Sequence, residues 1–193
     1  MKSSALVTGG GKRIGRAIAL DLAARGFSIA LHYHQSDKEA KITAAKIRKR
    51  RVRCEIFSCD LSNEQTTQEL INTVVNTKSF PPLKLLVNCA SIFEKSQLST
   101  SNIDFFNRHL AVNCIAPLIL SREFFRICKR GQIINILDTH ITDNKTAYAD
   151  YLLSKKLLAE LTQLSAVEFA PNIRVNAIAP GLILPPKGEE DGY

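Results

Sequence analysis

The sequence predicts an α/β domain, a doubly wound parallel sheet in three layers with helices on both faces. Three observations carry that reading. Short apolar, β-branched runs alternate with helix-period segments from end to end. The first run, Ala5-Leu6-Val7, opens directly into a glycine-rich turn and then a helix. The chain has 193 residues, 45% hydrophobic and 23% charged, the size and balance of one soluble globular domain.

Element by element, strands are expected at residues 5–8, 28–33, 53–58, 83–88, 132–137 and 174–178. The helices between them are expected at 13–25, 37–50, 63–77, 102–128 and 148–169. Gly26 stands where the first helix needs a left-handed C′ residue, and Gly131 is placed to do the same for the fourth. Ser62-Asn63-Glu64-Gln65 has the pattern of a capping box and starts the third helix. Pro81-Pro82 forces an extended approach to the fourth strand. After the sixth strand come Pro180-Gly181 and a polar tail, Lys187 to Tyr193, with no further strand or covering helix. Either six strands close the domain or the chain stops before its own C-terminal part.

Composition excludes several classes. No apolar run approaches the ~20 residues of a membrane helix, and the N-terminus leaves no room for a signal peptide before the first strand. The five cysteines form no C-x-x-C pair and read as small buried hydrophobes in a reducing compartment, so cytoplasm is expected. The net charge of +8 includes a block from Lys46 to Arg53. A nucleic-acid patch is one reading of it; cations complementing a helix C-terminus are the preferred one, because no aromatics interleave the block. A positive field also suits anionic small molecules.

Chemistry concentrates at the predicted strand ends. Thr8-Gly9-Gly10-Gly11-Lys12-Arg13-Ile14-Gly15 follows the first strand, where backbone N–H groups and a helix dipole suit a phosphate. Glycines also serve ordinary loops, so position carries the argument, and Arg13 inside the turn is its unusual member. The second strand ends in His32-Tyr33-His34-Gln35-Ser36, where a carboxylate would bind the ribose 2′-OH of NAD. None appears before Asp37; donors stand there instead, and with Lys12 and Arg13 they favour a 2′-phosphate, hence NADP(H). Asp60-Leu61 ends the third strand, as an adenine acceptor or as helix-cap support. Asn88-Cys89-Ala90-Ser91 ends the fourth, with small residues where a backbone must approach a ligand. Asn113 is polar among apolar neighbours, either a helix-packing hydrogen bond or the holder of a water in a proton relay.

Tyr151 and Lys155 lie one turn apart on one helix face, downstream of Asp138 at the end of the fifth strand. An ammonium beside a phenol is expected to lower the phenol towards neutrality, giving a proton donor for a group being reduced by hydride. Tyr148 is set aside because its i+4 partner is Leu152. His32 and His34 share a face without a third ligand, so no metal site is expected, and no G-x-S-x-G elbow is present.

Together these residues resemble the short-chain dehydrogenase/reductase family, whose members have a Rossmann fold and move hydride to or from a nicotinamide cofactor. The resemblance covers the whole chain: the glycine turn, Asn88-Cys89-Ala90, Asn113, Tyr151 with Lys155, and Ile173-Arg174-Val175-Asn176 through Pro180-Gly181. Arg13 for the usual second glycine, Asp138 for the usual serine, and His32-Tyr33-His34 are similar to pteridine reductases and the related dihydromonapterin and dihydrofolate reductases. That resemblance implies a cofactor set of Thr8, Gly9, Arg13, Ile14, Gly15, His34, Gln35, Ser36, Asp60, Leu61, Asn88, Ala90, Tyr151, Lys155, Pro180 and Gly181. It implies Asp138, Tyr151, Lys155 and Asn113 as the catalytic group. Arg13, Ser91, Phe93, Asp138 and Tyr151 would meet the substrate, with Phe93 stacking a pterin against the nicotinamide. Gln35 and Cys89 depart from the pattern, which has Arg and Asn there. Relative to the family the domain, residues 1–193, lacks the usual C-terminal strand and substrate loop. The expected activity is NADPH-dependent reduction of a dihydropterin or dihydrofolate C=N bond, in a homo-oligomer, a tetramer when full length. A 3-oxoacyl-thioester or other carbonyl reductase of the same family is the second reading, and a non-catalytic dinucleotide-binding module the third.

Overall fold

A computed structural model describes residues 3–143 and 145–184. The polar tail singled out in the sequence lies outside the described residues. Six strands, β1 (Ser4–Val7), β2 (Ser28–Tyr33), β3 (Cys54–Ser58), β4 (Leu83–Asn88), β5 (Gly131–Ile136) and β6 (Ile173–Ile178), form one parallel sheet in the order β3-β2-β1-β4-β5-β6. The helices are α1 (Arg13–Ala24), α2 (Asp37–Arg48), α3 (Glu64–Val75), α4 (Ile103–Leu110), α5 (Ala116–Cys128) and α6 (Ala149–Glu168). Chain order reverses between β1 and β4, so a topological switch point opens at their carboxyl ends, where such sheets bind ligands.

The two faces bury separate cores. On one, Ala19 and Ala23 of α1 with Ala40, Ala44 and Ile47 of α2 cover Val7, Ile29, Leu31 and Val87. On the other, Leu70, Ile71 and Val74 of α3 and Leu120 and Phe124 of α5 cover Leu6, Leu86 and Ile133. Both-face burial explains why the central strands β1 and β4 read as apolar runs, whereas the edge strand β6 alternates buried and exposed residues. No helix among the described residues is long and apolar enough to cross a membrane.

Three local expectations change. The third helix is capped by Asn63, whose side chain accepts the Thr66 N–H, while Ser62 is spent on Asp60. Gly131 is not a helix cap, because Lys129 takes the left-handed position. Gly131 is needed because a Cβ there would lie 2.6 Å from Lys84 O and 2.7 Å from the Phe124 ring. The long fourth helix is interrupted by a π turn, Ala111–Ile115, which separates α4 from α5.

Candidate active site

The glycine turn is built from contacts that tolerate little else. A Cβ on Gly15 would lie 2.2 Å from Gly9 O, and one on Gly9 would lie 3.0 Å from Ala90 Cα. Gly9 also adopts φ +65°, which glycine reaches without strain. Thr8, 1% exposed, staples this turn to the end of β4: its Oγ accepts the N–H of Cys89 and Ala90 at 2.9 and 3.0 Å. Thr8 therefore holds the two strand ends together.

His32 supports the turn from beneath. Gly9 N–H can only donate and Cys59 C=O can only accept, so Nδ1 takes the first at 3.1 Å and Nε2–H gives to the second at 3.0 Å. Burial pushes its pKa down to about 4, keeping the ring neutral. Gly10 N–H donates to His32 O. The first two glycine N–H groups are thus taken out of the phosphate-binding set expected for the turn. Arg13, exposed at the start of α1, adopts φ +49°, a left-handed conformation that costs a non-glycine residue about 1 kcal/mol. Ile14 follows, half-buried in the first turn of α1.

At the end of β2, His34 and Gln35 are exposed and Ser36 sits against the glycine turn, its Oγ 3.3 Å from where a Cβ on Gly11 would be. Asp60, next to β3, accepts from Ser62 N and Oγ through Oδ1, while Oδ2 lies 3.8 Å from His34 Nε2. Asp60 thus supports the turn through Oδ1 and leaves Oδ2 facing His34. Leu61 is 6% exposed and packs in the core with Leu70 and Ile71, so its side chain offers nothing to a cofactor.

Two buried amides link the sheet to α6. Asn88 Nδ2 donates to Asn135 Oδ1 at 2.8 Å, and Asn135 Nδ2 donates to Thr162 Oγ at 2.9 Å. Asn88 is therefore a scaffold residue at its side chain, and Asn135 and Thr162 are partners that sequence spacing did not reveal. Asn113, fully buried in the π turn, pairs with both backbone groups of Ile92, and also meets Ser91 and Ser154. Its amide is fully engaged within the protein. Asn113 positions the segment after β4 against α6. Interruptions of the helical ladder of this kind gather at functional sites.

The reactive group lies beyond β5. Asp138 Oδ1 accepts the His140 N–H at 2.8 Å, which aims Oδ2 at the Tyr151 hydroxyl, also 2.8 Å away. Burial and the Asp138 carboxylate raise the Tyr151 pKa, opposite to the lowering expected from Lys155. Lys155 is itself buried, donates to Ile136 O at 2.8 Å, and is pushed down to about 8 by desolvation. Its Nζ lies 5.8 Å from the Tyr151 ring centroid. The phenol is thus held protonated by a carboxylate, as a donor waiting for an acceptor.

Phe93 forms the outer wall, 58% exposed, edge-on to Tyr151 at 4.7 Å and stacked on Tyr148 at 4.4 Å with 9° between planes. Tyr148, discounted in the sequence for lacking a Lys partner, supports the aromatic wall; its spacing of three from Tyr151 at a helix start was the available signal. The segment bearing Phe93 is clamped to α6 by Ser96, which exchanges backbone hydrogen bonds with Ala147 and Ala149, and by Ser101 on the buried carboxylate of Asp150. Pro180 accepts the Thr139 N–H, and Gly181 passes close to Thr139, beside Asp138. A 420 Å³ cavity walled by Leu98, Ala149, Leu152 and Leu153 lies on the face of α6 turned away from Tyr151 and holds none of this chemistry. Among the described residues no cluster of His, Cys, Asp or Glu is arranged for a metal.

The chain is similar to known proteins in sequence and in fold. The family model described as short chain dehydrogenase matches residues 3–191. Pteridine reductase 1 of Leishmania tarentolae is 32% identical over 226 aligned positions, covering 94% of the chain and 77% of that protein. A 3-oxoacyl-[acyl-carrier-protein] reductase of Staphylococcus epidermidis is 31% identical, covering 95% and 76%. The crystal structure of alternative dihydrofolate reductase 1 from Brucella suis, in complex with NADP, superposes with a TM-score of 0.87 at 34% identity, covering 95% of the chain and 76% of that one.

Proposed function

The chain belongs to the short-chain dehydrogenase family, and from that premise we propose that this NADP-dependent oxidoreductase reduces a pterin-type C=N bond, in a dihydropterin or dihydrofolate. The observation that carries the proposal is the Asp138–Tyr151 hydrogen bond beside the open face of Phe93. Resemblance supports it, since a pteridine reductase and an NADP-bound alternative dihydrofolate reductase are among the similar proteins.

The residues present fit the cofactor. The glycine turn closes to distances only glycine allows and carries Lys12 and Arg13, while His34, Gln35 and Ser36 follow β2 with donors, Ser36 packed against Gly11. When bound, NADPH supplies a hydride from its nicotinamide. The chain's own part is to deliver and balance the proton. Tyr151, held protonated, turns its O–H from Asp138 Oδ2 to the substrate ring nitrogen. Lys155 then stabilises the phenolate left behind, and Asp138 is placed to return the proton from solvent. Phe93 offers one open ring face for an aromatic heterocycle, the other being covered by Tyr148.

The test is a turnover panel. Wild-type protein with NADPH should reduce dihydrobiopterin or dihydrofolate, and Tyr151→Phe should lose at least ~100-fold in kcat while binding NADPH normally. Wild-type kcat in Tyr151→Phe removes the mechanism. Carbonyl reduction is the second reading, favoured by the equal similarity to a 3-oxoacyl reductase; turnover of an acetoacetyl thioester but of no pterin would select it. Self-association has a candidate face in the exposed Leu118 and Phe125 of α5 and Leu157, Leu164 and Val167 of α6. A monomer in sedimentation velocity at micromolar concentration would exclude that face.

A further inference from the structure

A carboxylate does stand near the end of β2: Asp37, the first residue of α2. The first turn of α2 packs directly on the glycine turn. A Cβ on Gly11 would lie 3.3 Å from both Ser36 Oγ and Ala40 N, and Thr43 Oγ donates to Gly11 O at 2.9 Å. Asp37 is therefore one residue from the point where α2 meets the phosphate-binding turn. In dinucleotide folds a carboxylate in this neighbourhood accepts a ribose 2′-OH, and its charge repels a 2′-phosphate.

Both oxygens of Asp37 are engaged. Tyr33, the last residue of β2, donates its hydroxyl to Oδ1 at 2.9 Å, and Lys41, one helical turn on, reaches Oδ2 at 2.7 Å. The ammonium cancels the charge at contact distance, and the phenol takes up the other oxygen. Glu39 is the second acid of that helical turn, while Lys38 and Lys41 bring cations to the same segment.

We propose that Tyr33 and Lys41 shield Asp37 and thereby determine selectivity for the phosphorylated dinucleotide. The inference rests on the NADPH reading and deepens it. Asp37 is not the residue that holds a ribose hydroxyl; it is an acid kept out of the cofactor's reach, and Lys41 is a specificity residue although it lies outside every binding motif in the sequence.

A double-mutant cycle tests it, reading kcat/KM for NADPH and NADH with the same substrate, and direct cofactor Kd by nicotinamide fluorescence. Lys41→Met should lower the NADPH/NADH ratio about two- to five-fold, as expected for an exposed ion pair, through the NADPH KM. Asp37→Asn should raise the ratio, and Lys41→Met added to Asp37→Asn should change it little. Tyr33→Phe should act as Lys41→Met does, more weakly. An unchanged ratio in Lys41→Met overturns the proposal. An equal loss in both backgrounds also overturns it, because Lys41 would then touch the phosphate directly. A wild-type preference for NADH would instead sink the NADPH reading itself, so the two failures are distinct.

Discussion

Replacing Thr8 by Val removes one oxygen and keeps the shape of the side chain. That oxygen accepts two backbone N–H groups, from Cys89 and Ala90, and donates to Val87 O at 3.3 Å. Without it two partly buried donors lose their acceptor. At about 1–2 kcal/mol each, offset by the gain of burying a methyl, the net loss is about 2–3 kcal/mol. For a chain of this size that is a fall of ~1 M in the urea midpoint. Thr8→Ser is the control: it keeps the acceptor, loses one methyl, and should cost about 1 kcal/mol. Urea titration by circular dichroism measures both, and hydrogen exchange at Cys89 and Ala90 should accelerate in Thr8→Val alone. If Thr8→Val is as stable as Thr8→Ser, the staple between the turn and β4 is not what holds the site together.

Two further perturbations probe the same floor. Arg13→Gly should relieve the left-handed strain and raise stability by about 1 kcal/mol while lowering kcat/KM for the pterin, so a variant less stable than wild type contradicts the strain argument. His32 has a folded pKa near 4 against its ordinary 6.5. The unfolded chain therefore binds its proton first, and stability that is full above pH 6.5 should drain by roughly 3 kcal/mol as pH falls to 4, then level off. His32→Gln, which keeps a donor for Cys59, should lose that segment of the pH-stability curve; an unchanged curve would assign it to other groups.

How far the sequence could be read differs by scale. The six strands and the helices between them were legible from β-branched apolar segments and 3.6-residue periods, apart from the π turn that splits the fourth helix. Tyr151, Lys155 and Asp138 were legible as a set because they share strand-end and helix-start positions. What was hidden is what depends on who faces whom. Asn88 and Asn135 stand 47 residues apart, and nothing local announces their bond. The direction of the Tyr151 shift turned on burial of the phenol and then on a carboxylate at 2.8 Å, neither of which residue spacing can reveal. Asp37 was visible as the first acid after β2, but its engagement by Tyr33 and Lys41 was not, because those partners belong to a strand end and to the next helical turn.

The π turn at Ala111–Ile115 has a consequence for chain length. A π turn holds one residue more than an unbroken α-helix of the same rise needs. Deleting a single residue there would remove that surplus, although Pro117 in the first turn of α5 has no N–H with which to complete the ladder. Because the surplus residue is absorbed within the turn itself, α4 and α5 would keep their phase about the axis, and only what the bulge itself presents would be lost. Asn113 could then no longer serve Ile92 and Ser154 together. In this stretch a substitution is a local event, whereas a deletion removes the bulge that lets one amide serve both sides of the active site.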